Sequence, residues 1–155
     1  MGFLSALRIA GSALTAQRLR ADVIANNIAN MNTTRTAEGG AYQRQQVVFA
    51  ARQERLPFRT ILFARGLLPV PGPGGYERPG DGVQVAAVGP DGRPAKRVFE
   101  PDHPDADPEG FVDYPDIDPV TEMADMLSAS RAYEANVTAL NAAKGMAAKA
   151  LEIGR

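Results

Sequence analysis

The chain reads as a mainly α protein in which two long terminal helices, discontinuous in sequence, pair as a coiled-coil-like bundle around a small β-rich insert. Three observations predict it. Residues 1–34 hold no proline and only Gly2 and Gly11, and after Pro119 there is no proline and only Gly145 and Gly154, so the breakers are confined to the middle. Both ends carry apolar residues at alternating spacings of three and four, the repeat of a helical seam. Between them, short strand-like runs are separated by Pro and Gly turns. The chain therefore divides into an N-terminal arm (1–34), an insert of strands and loops (35–118) and a C-terminal arm (119–155).

The first arm places Phe3, Leu7, Ala10, Leu14, Ala21, Ile24, Ile28 and Met31 on one seam, with Gln17 its one polar member. A second apolar stripe, Leu4, Ile9, Ala13, Ala16 and Val23, widens the buried face beyond that of a two-stranded coil, so more than one neighbour is implied. Asn26, Asn27, Asn30 and Asn32 crowd the end of this helix, where low helix propensity favours fraying or a cap.

In the insert, Tyr42 to Ala50 and Val83 to Val88 read as strands, Pro90-Asp91-Gly92 as a turn into Arg93 to Phe99, and Phe111 to Tyr114 as a short strand. A unit this small buries little surface alone and is expected to lean on the arms. Residues 54–79, rich in Pro and Gly, read as an extended loop, and its apolar Phe58, Ile61, Leu62, Phe63, Leu67 and Leu68 are expected to dock on a neighbouring subunit. The second arm opens with Asp118 before Pro119, a helix-entry signal, with Thr121 and Glu122 in the first turn. Its predicted seam runs Met123, Met126, Ser130, Tyr133, Val137, Leu140, Lys144, Ala147, Leu151. Each arm is roughly 45 Å long at 1.5 Å per residue.

Composition excludes most chemistry. The 155 residues contain no Cys and one His, which removes disulfides, thiol nucleophiles and Cys-based zinc sites. Aromatics are 6% with no Trp, so alanine and aliphatic residues must make the core. Seventeen basic against eighteen acidic side chains leave a net charge of -1, which argues against attraction to nucleic acid or anionic lipid. No apolar run approaches the roughly 20 residues of a membrane span. The first sixteen residues lack the apolar core and cleavage site of a Sec signal, so passage out of the cytoplasm is expected to use another route.

The remaining chemical signals are weak. Asp105-Ala-Asp107-Pro-Glu109-Gly110, continued to Asp113 and Asp116, resembles the start of a calcium loop, but Pro108 stiffens it and the twelfth position is Asp where a bidentate Glu is wanted. Paired carboxylates between Glu100 and Asp118 would suit a glycosidase only in a walled cleft, and this segment offers no aromatic platform. The run is better read as a solvated acidic loop, or as one that meets Arg35, Arg44, Arg52, Arg55, Arg59 and Arg65 of an adjacent subunit. His103 lies in this loop and is expected to be exposed. Pro71 to Gly82 lacks the G-K-[ST] ending of a phosphate loop. No enzyme and no cofactor is expected.

Two segments carry a resemblance. Asp22 to Thr34, D-V-I-A-N-N-I-A-N-M-N-T-T, resembles the N-terminal signature of bacterial flagellar rod and hook proteins. His103 to Val112, H-P-D-A-D-P-E-G-F-V, with Asp118 to Lys144 resembles the C-terminal region of the family's proximal-rod type. The resemblance implies a structural subunit of the basal-body rod, built into a helical tube that crosses the periplasm and carries torque from motor to hook, and required for flagellum-dependent motility. It implies export through the flagellar type III apparatus without a cleaved Sec signal, arms that form the inner tube wall, and an insert that faces outward. The implied partners are copies of the chain, other rod proteins, the export apparatus and basal-body ring proteins. The N-terminal motif maps onto Asn26, Asn27, Ile28, Asn30 and Thr33, and the C-terminal motif onto Met123, Tyr133, Asn136 and Asn141.

The expected assembly interface comprises Leu7, Leu14, Ile24, Asn26, Asn27, Ile28, Asn30, Met123, Met126, Tyr133, Asn136, Val137, Leu140 and Asn141, with asparagines fixing register through buried hydrogen bonds. Residues 54–79 depart from the family in length and apolar content. Two alternatives remain: another rod- or hook-type axial protein, and a calcium-binding interaction module built on residues 105–116.

Overall fold

A computed structural model describes residues 3–52 and 81–153; the loop expected at 54–79 lies wholly outside them. The order of elements is α1 (Phe3–Ala29), β1 (Gln45–Ala51), β2 (Val83–Pro90), β3 (Lys96–Phe99), β4 (Phe111–Tyr114) and α2 (Pro119–Ile153). The β strands make two separate antiparallel pairs, β1 with β2 and β3 with β4. Two long helices and a small antiparallel insert are thus as the sequence predicts. Some boundaries differ. The first helix stops at Ala29, where the side-chain amide of Asn30 donates to the Asn26 carbonyl at 2.9 Å and so satisfies the exposed helix end. β1 starts at Gln45 and not Tyr42, and β3 at Lys96 and not Arg93.

α1 is the central element. Both α2 and the β1–β2 pair pack on it, while among the described residues the backbones of α2 and the strands do not approach each other within 8 Å, so the two neighbours lie largely on different sides of α1 and converge only at its C-terminal end. That arrangement explains why its apolar face is wider than one seam. Ser12, Ala16, Val23 and Asn27 recur at helical spacing on the side of the sheet. Polar contacts pin both ends of this stripe. At one end the Val83 N–H donates to Ser12 Oγ at 3.1 Å; at the other the Asn27 amide pairs with the Gln45 backbone. The lengths agree: Ser12 to Asn27 is about 22 Å of helix, and Gln45 to Ala51, whose partner is Val83, is about 20 Å of strand.

The close approach at Ser12 depends on Gly82. Its φ is +106°, and a Cβ there would lie 2.2 Å from Ser12 Oγ. Further along the pair, the partner of β1 steps from Ala87 at Val48 to Val85 at Phe49, a bulge.

α2 runs antiparallel to α1. Its Glu122 meets Asn27, and its Asp125 meets Arg20, so contacts advance along one helix as they retreat along the other. The buried line of α2 corrects the predicted seam by one residue. Glu122, Ala129 and Ala143 are buried, with Asn136 half-buried between them, at seven-residue steps. Met126, Val137, Leu140 and Ala147 of the predicted seam are half-buried, but Met123, Ser130, Tyr133, Lys144 and Leu151 are exposed. The physical reason is size: alanine lets the two backbones approach, and the larger side chains are turned aside. Buried apolar side chains among the described residues are Ala16, Val23, Ile24, Val112, Pro115, Ala129 and Ala143, a thin core for helices of this length.

Candidate functional site: a buried polar junction between the arms

Where α1 ends, β1 begins and α2 begins, the three segments meet at polar groups. Asn27 is 1% exposed and uses its full hydrogen-bonding capacity. Its Nδ2 donates to the Gln45 carbonyl at 2.8 Å and to Glu122 Oε2 at 3.2 Å. Its Oδ1 accepts from the Gln45 N–H at 2.9 Å and from the Tyr42 hydroxyl at 3.1 Å. The amide therefore pairs with one residue of β1 as a neighbouring strand would, and joins that edge to the first turn of α2.

Glu122, also 1% exposed, divides its two oxygens. Oε2 accepts from Asn27, and Oε1 accepts from Arg44 Nε and lies 2.7 Å from Arg44 Nη2. A carboxylate this deep survives only when paired and hydrogen-bonded, and here it is both. Arg44 also reaches Asp91 Oδ2 at 3.3 Å and lies 3.8 Å from Asp125 Oδ2. The charges alternate outward from there: Arg20 holds Asp125 at 3.0 Å, Arg93 holds Asp91 at 3.2 Å, and Arg93 also lies 3.8 Å from Asp116.

The electrostatics follow from this packing. Burial works to lower the Arg44 pKa, but the hydrogen bonds and charges of Glu122 and Asp91 outweigh it and leave the pKa raised. Burial first, and the Glu122 charge second, push the Tyr42 hydroxyl above its ordinary value and keep it a neutral donor to Asn27. Immediately before α2, Asp118 caps the helix. It accepts from the Thr121 hydroxyl at 2.5 Å and from the Val120 and Thr121 N–H groups at 3.2 and 3.3 Å. Those bonds, the Thr121 hydroxyl foremost, hold its carboxyl below the usual range.

Of the residues expected to form the interface, only Asn27 enters this junction. Ile24 is buried; Leu7, Leu14, Ile28, Asn30, Met126, Asn136, Val137 and Leu140 are half-buried; Asn26, Met123, Tyr133 and Asn141 are exposed. The asparagines do not act alike. The Asn30 amide caps onto Asn26, and the Asn136 amide donates to the Ala132 carbonyl of its own helix at 2.7 Å. Asn27 makes its register-fixing bonds within the chain, not across an interface.

Sequence reasoning missed Glu122, Tyr42, Gln45, Asp91, Asp125 and Arg20 as junction residues. Arg44 is one of the arginines that the sequence offers as partners for the acidic loop of an adjacent subunit, as the alternative to a solvated loop; its partners here are Glu122 and Asp91 of the same chain. The acidic loop is likewise matched internally. Asp105 accepts from Thr34 at 2.8 Å and pairs with Arg35, while Asp107 and Asp113 lie 3.2 and 3.5 Å from Arg97. β4 runs through the stretch considered as a calcium loop, and no three acidic or His side chains converge as a ligand set among the described residues. No helix among those residues is long and apolar enough to cross a membrane.

Comparison with known proteins bears on both arms. Residues 7–36 match the family described as Flagella basal body rod protein, and residues 109–153 match the family described as Flagellar basal body rod FlgEFG protein C-terminal. The chain is 44% identical to the flagellar basal-body rod protein FlgC of Borreliella burgdorferi, over 99% of this chain and 98% of the relative. It is 44% identical to FlgC of Bacillus subtilis over 96% of each chain, and 37% identical to FlgC of Salmonella typhimurium over the whole of both.

Proposed function

Because this chain belongs to the FlgC family of flagellar basal-body rod proteins and is a structural rod subunit, not an enzyme, we propose that it assembles by helix packing into a helical tube and carries torque through side-chain contacts. The division of labour is three segments: an axial arm (1–34), an outward insert (35–118) and a second axial arm (119–155), with the arms pairing as a coiled coil. One observation carries this reading. A polar junction fixes the two helices in register inside each subunit, while the same helices leave Leu4, Val120, Met123, Leu127, Tyr133, Met146 and Leu151 exposed to neighbours. Contacts between unlike patches build a helical assembly when the rotation from one copy to the next does not close into a ring.

The neighbours in this reading are copies of the chain and other rod proteins, with basal-body ring proteins around them. The subunit reaches the periplasmic space through the flagellar type III apparatus, without a cleaved signal. Tyr133, exposed in the single chain, tests the packing role. In a strain lacking the chain, Tyr133→Asp should leave the purified protein as helical as wild type by circular dichroism, yet give no rods in electron micrographs of basal bodies and no swimming. Normal rods and normal swimming would show that this helix face is not an assembly surface.

A further inference from the structure

The outer side of α2 carries an apolar stripe that no described part of the chain covers. Val120, Met123 and Leu127 follow one another at steps of three and four, so they stand on one face over the first two turns, and they are 75%, 61% and 53% exposed. α1 takes the other face, at Glu122, Ala129 and Ala143, and among the described residues the strand backbones stay clear of α2. The far end of α2 is apolar and exposed as well. Counting back from Asn27 and forward from its partner Glu122 puts the start of α1 opposite Met146, so α2 projects beyond α1 by about 10 Å. Met146 and Leu151 are 68% and 77% exposed there.

The two ends also differ in charge. The stretch from Glu100 to Asp118 that leads into α2 contains no Lys or Arg, and Asp102, Glu109 and Asp118 in it are exposed. The projecting end carries exposed Lys149 beside Glu152, and exposed Lys144 stands just before it.

We propose that the projecting C-terminal end of α2 in one copy packs on the Val120, Met123 and Leu127 stripe of the next copy, so that copies join head to tail. This rests on the rod reading above. Apolar surface meets apolar surface, and lysines meet carboxylates. The two patches differ and lie about 42 Å apart, Met123 to Leu151, along one helix. The contact is therefore heterologous and leaves a free patch at each end for the next copy.

The chain has no cysteine, so introduced ones report the contact without background. A disulfide needs Cβ atoms about 4 Å apart, so Met123→Cys and Leu151→Cys in one molecule cannot reach each other, and any bridge between them joins two molecules. Basal bodies carrying both substitutions, oxidised and separated without reductant, should give a ladder of dimers and larger multimers, whereas each single variant stays monomeric. Adding Lys144→Glu and Lys149→Glu should cut the ladder several-fold at unchanged helix content. Rods that assemble and drive swimming but give no ladder overturn the head-to-tail contact and leave the rod reading standing. Dimers from a single variant overturn it in favour of a symmetric contact, and a bridge to a different chain overturns the copy-to-copy assignment. Absence of the chain from basal bodies overturns both readings.

Discussion

Asn27 spends both donors and both acceptor positions of one side chain on partners from three segments, so its replacement exposes what each of them loses. Asn27→Ala leaves the Gln45 N–H and carbonyl, the Tyr42 hydroxyl and one oxygen of Glu122 without partners in a buried site. The expected cost is about 3 kcal/mol in a denaturant melt. Asn27→Asp keeps the shape and both acceptors but sets a second carboxylate against Glu122. Repulsion there raises the folded-state pKa of the introduced acid. Its penalty relative to wild type is then full at neutral pH and shrinks as pH falls through that raised value towards about 4, the unfolded one. A penalty constant between pH 7 and pH 4 would contradict this account of the junction. The sequence names Asn27 among four clustered asparagines, yet no local feature separates it from Asn26 or Asn30. What selects it is the arrival of Glu122, Arg44 and Gln45 at its position on α1, and partner choice across such sequence distances is a property of the fold.

At the scale of elements, the helices and most of the strands are legible because breaker placement and periodicity are local signals. The face of α2 is not. The sequence favours the line with large apolar residues, whereas the helix pair uses Ala129 and Ala143, whose smallness sets how closely the backbones approach. That the insert leans on an arm follows from its small size, but the place where β1–β2 docks on α1 is not legible, since it turns on a glycine at φ +106° beside Ser12 Oγ. Gly82→Ala combines a backbone conformation unfavourable to alanine with that clash, and should cost about 2–3 kcal/mol. Ser12→Ala alone removes the bond to the Val83 N–H and should cost about 1 kcal/mol. Because Ser12→Ala also removes the clashing oxygen, the double variant should be destabilised by less than the sum of the two, measured as a double-mutant cycle. Simple additivity would mean that the sheet does not meet α1 at this pair.

For the whole molecule, stability is concentrated at the junction end of the arms. Asn27, Glu122, Val23, Ile24 and Ala129 are buried there, while towards the free ends Leu4 and Leu151 are exposed and Ala143 is the last buried residue of α2. A helix stabilised by so little tertiary packing is held mainly by propensity, and α2 carries the β-branched Val137 and Thr138 at its middle and Gly145 in its last third. The sequence conveys this indirectly, through few aromatics and alanine-rich faces, because a part completed by its neighbours has no need of a bulky core of its own. It follows that the isolated subunit should have poorly protected arms that become ordered in the rod. Hydrogen exchange on the purified chain should find amides of residues 3–15 and 140–153 exchanging close to unfolded rates. Those around Asn27 and Glu122 should be slower, and all of them strongly slowed in isolated basal bodies. If the purified chain already protected both arms along their full length to the level of the assembled rod, packing between subunits would not be what orders them, and the polar junction with its thin core would suffice to hold the two helices by itself.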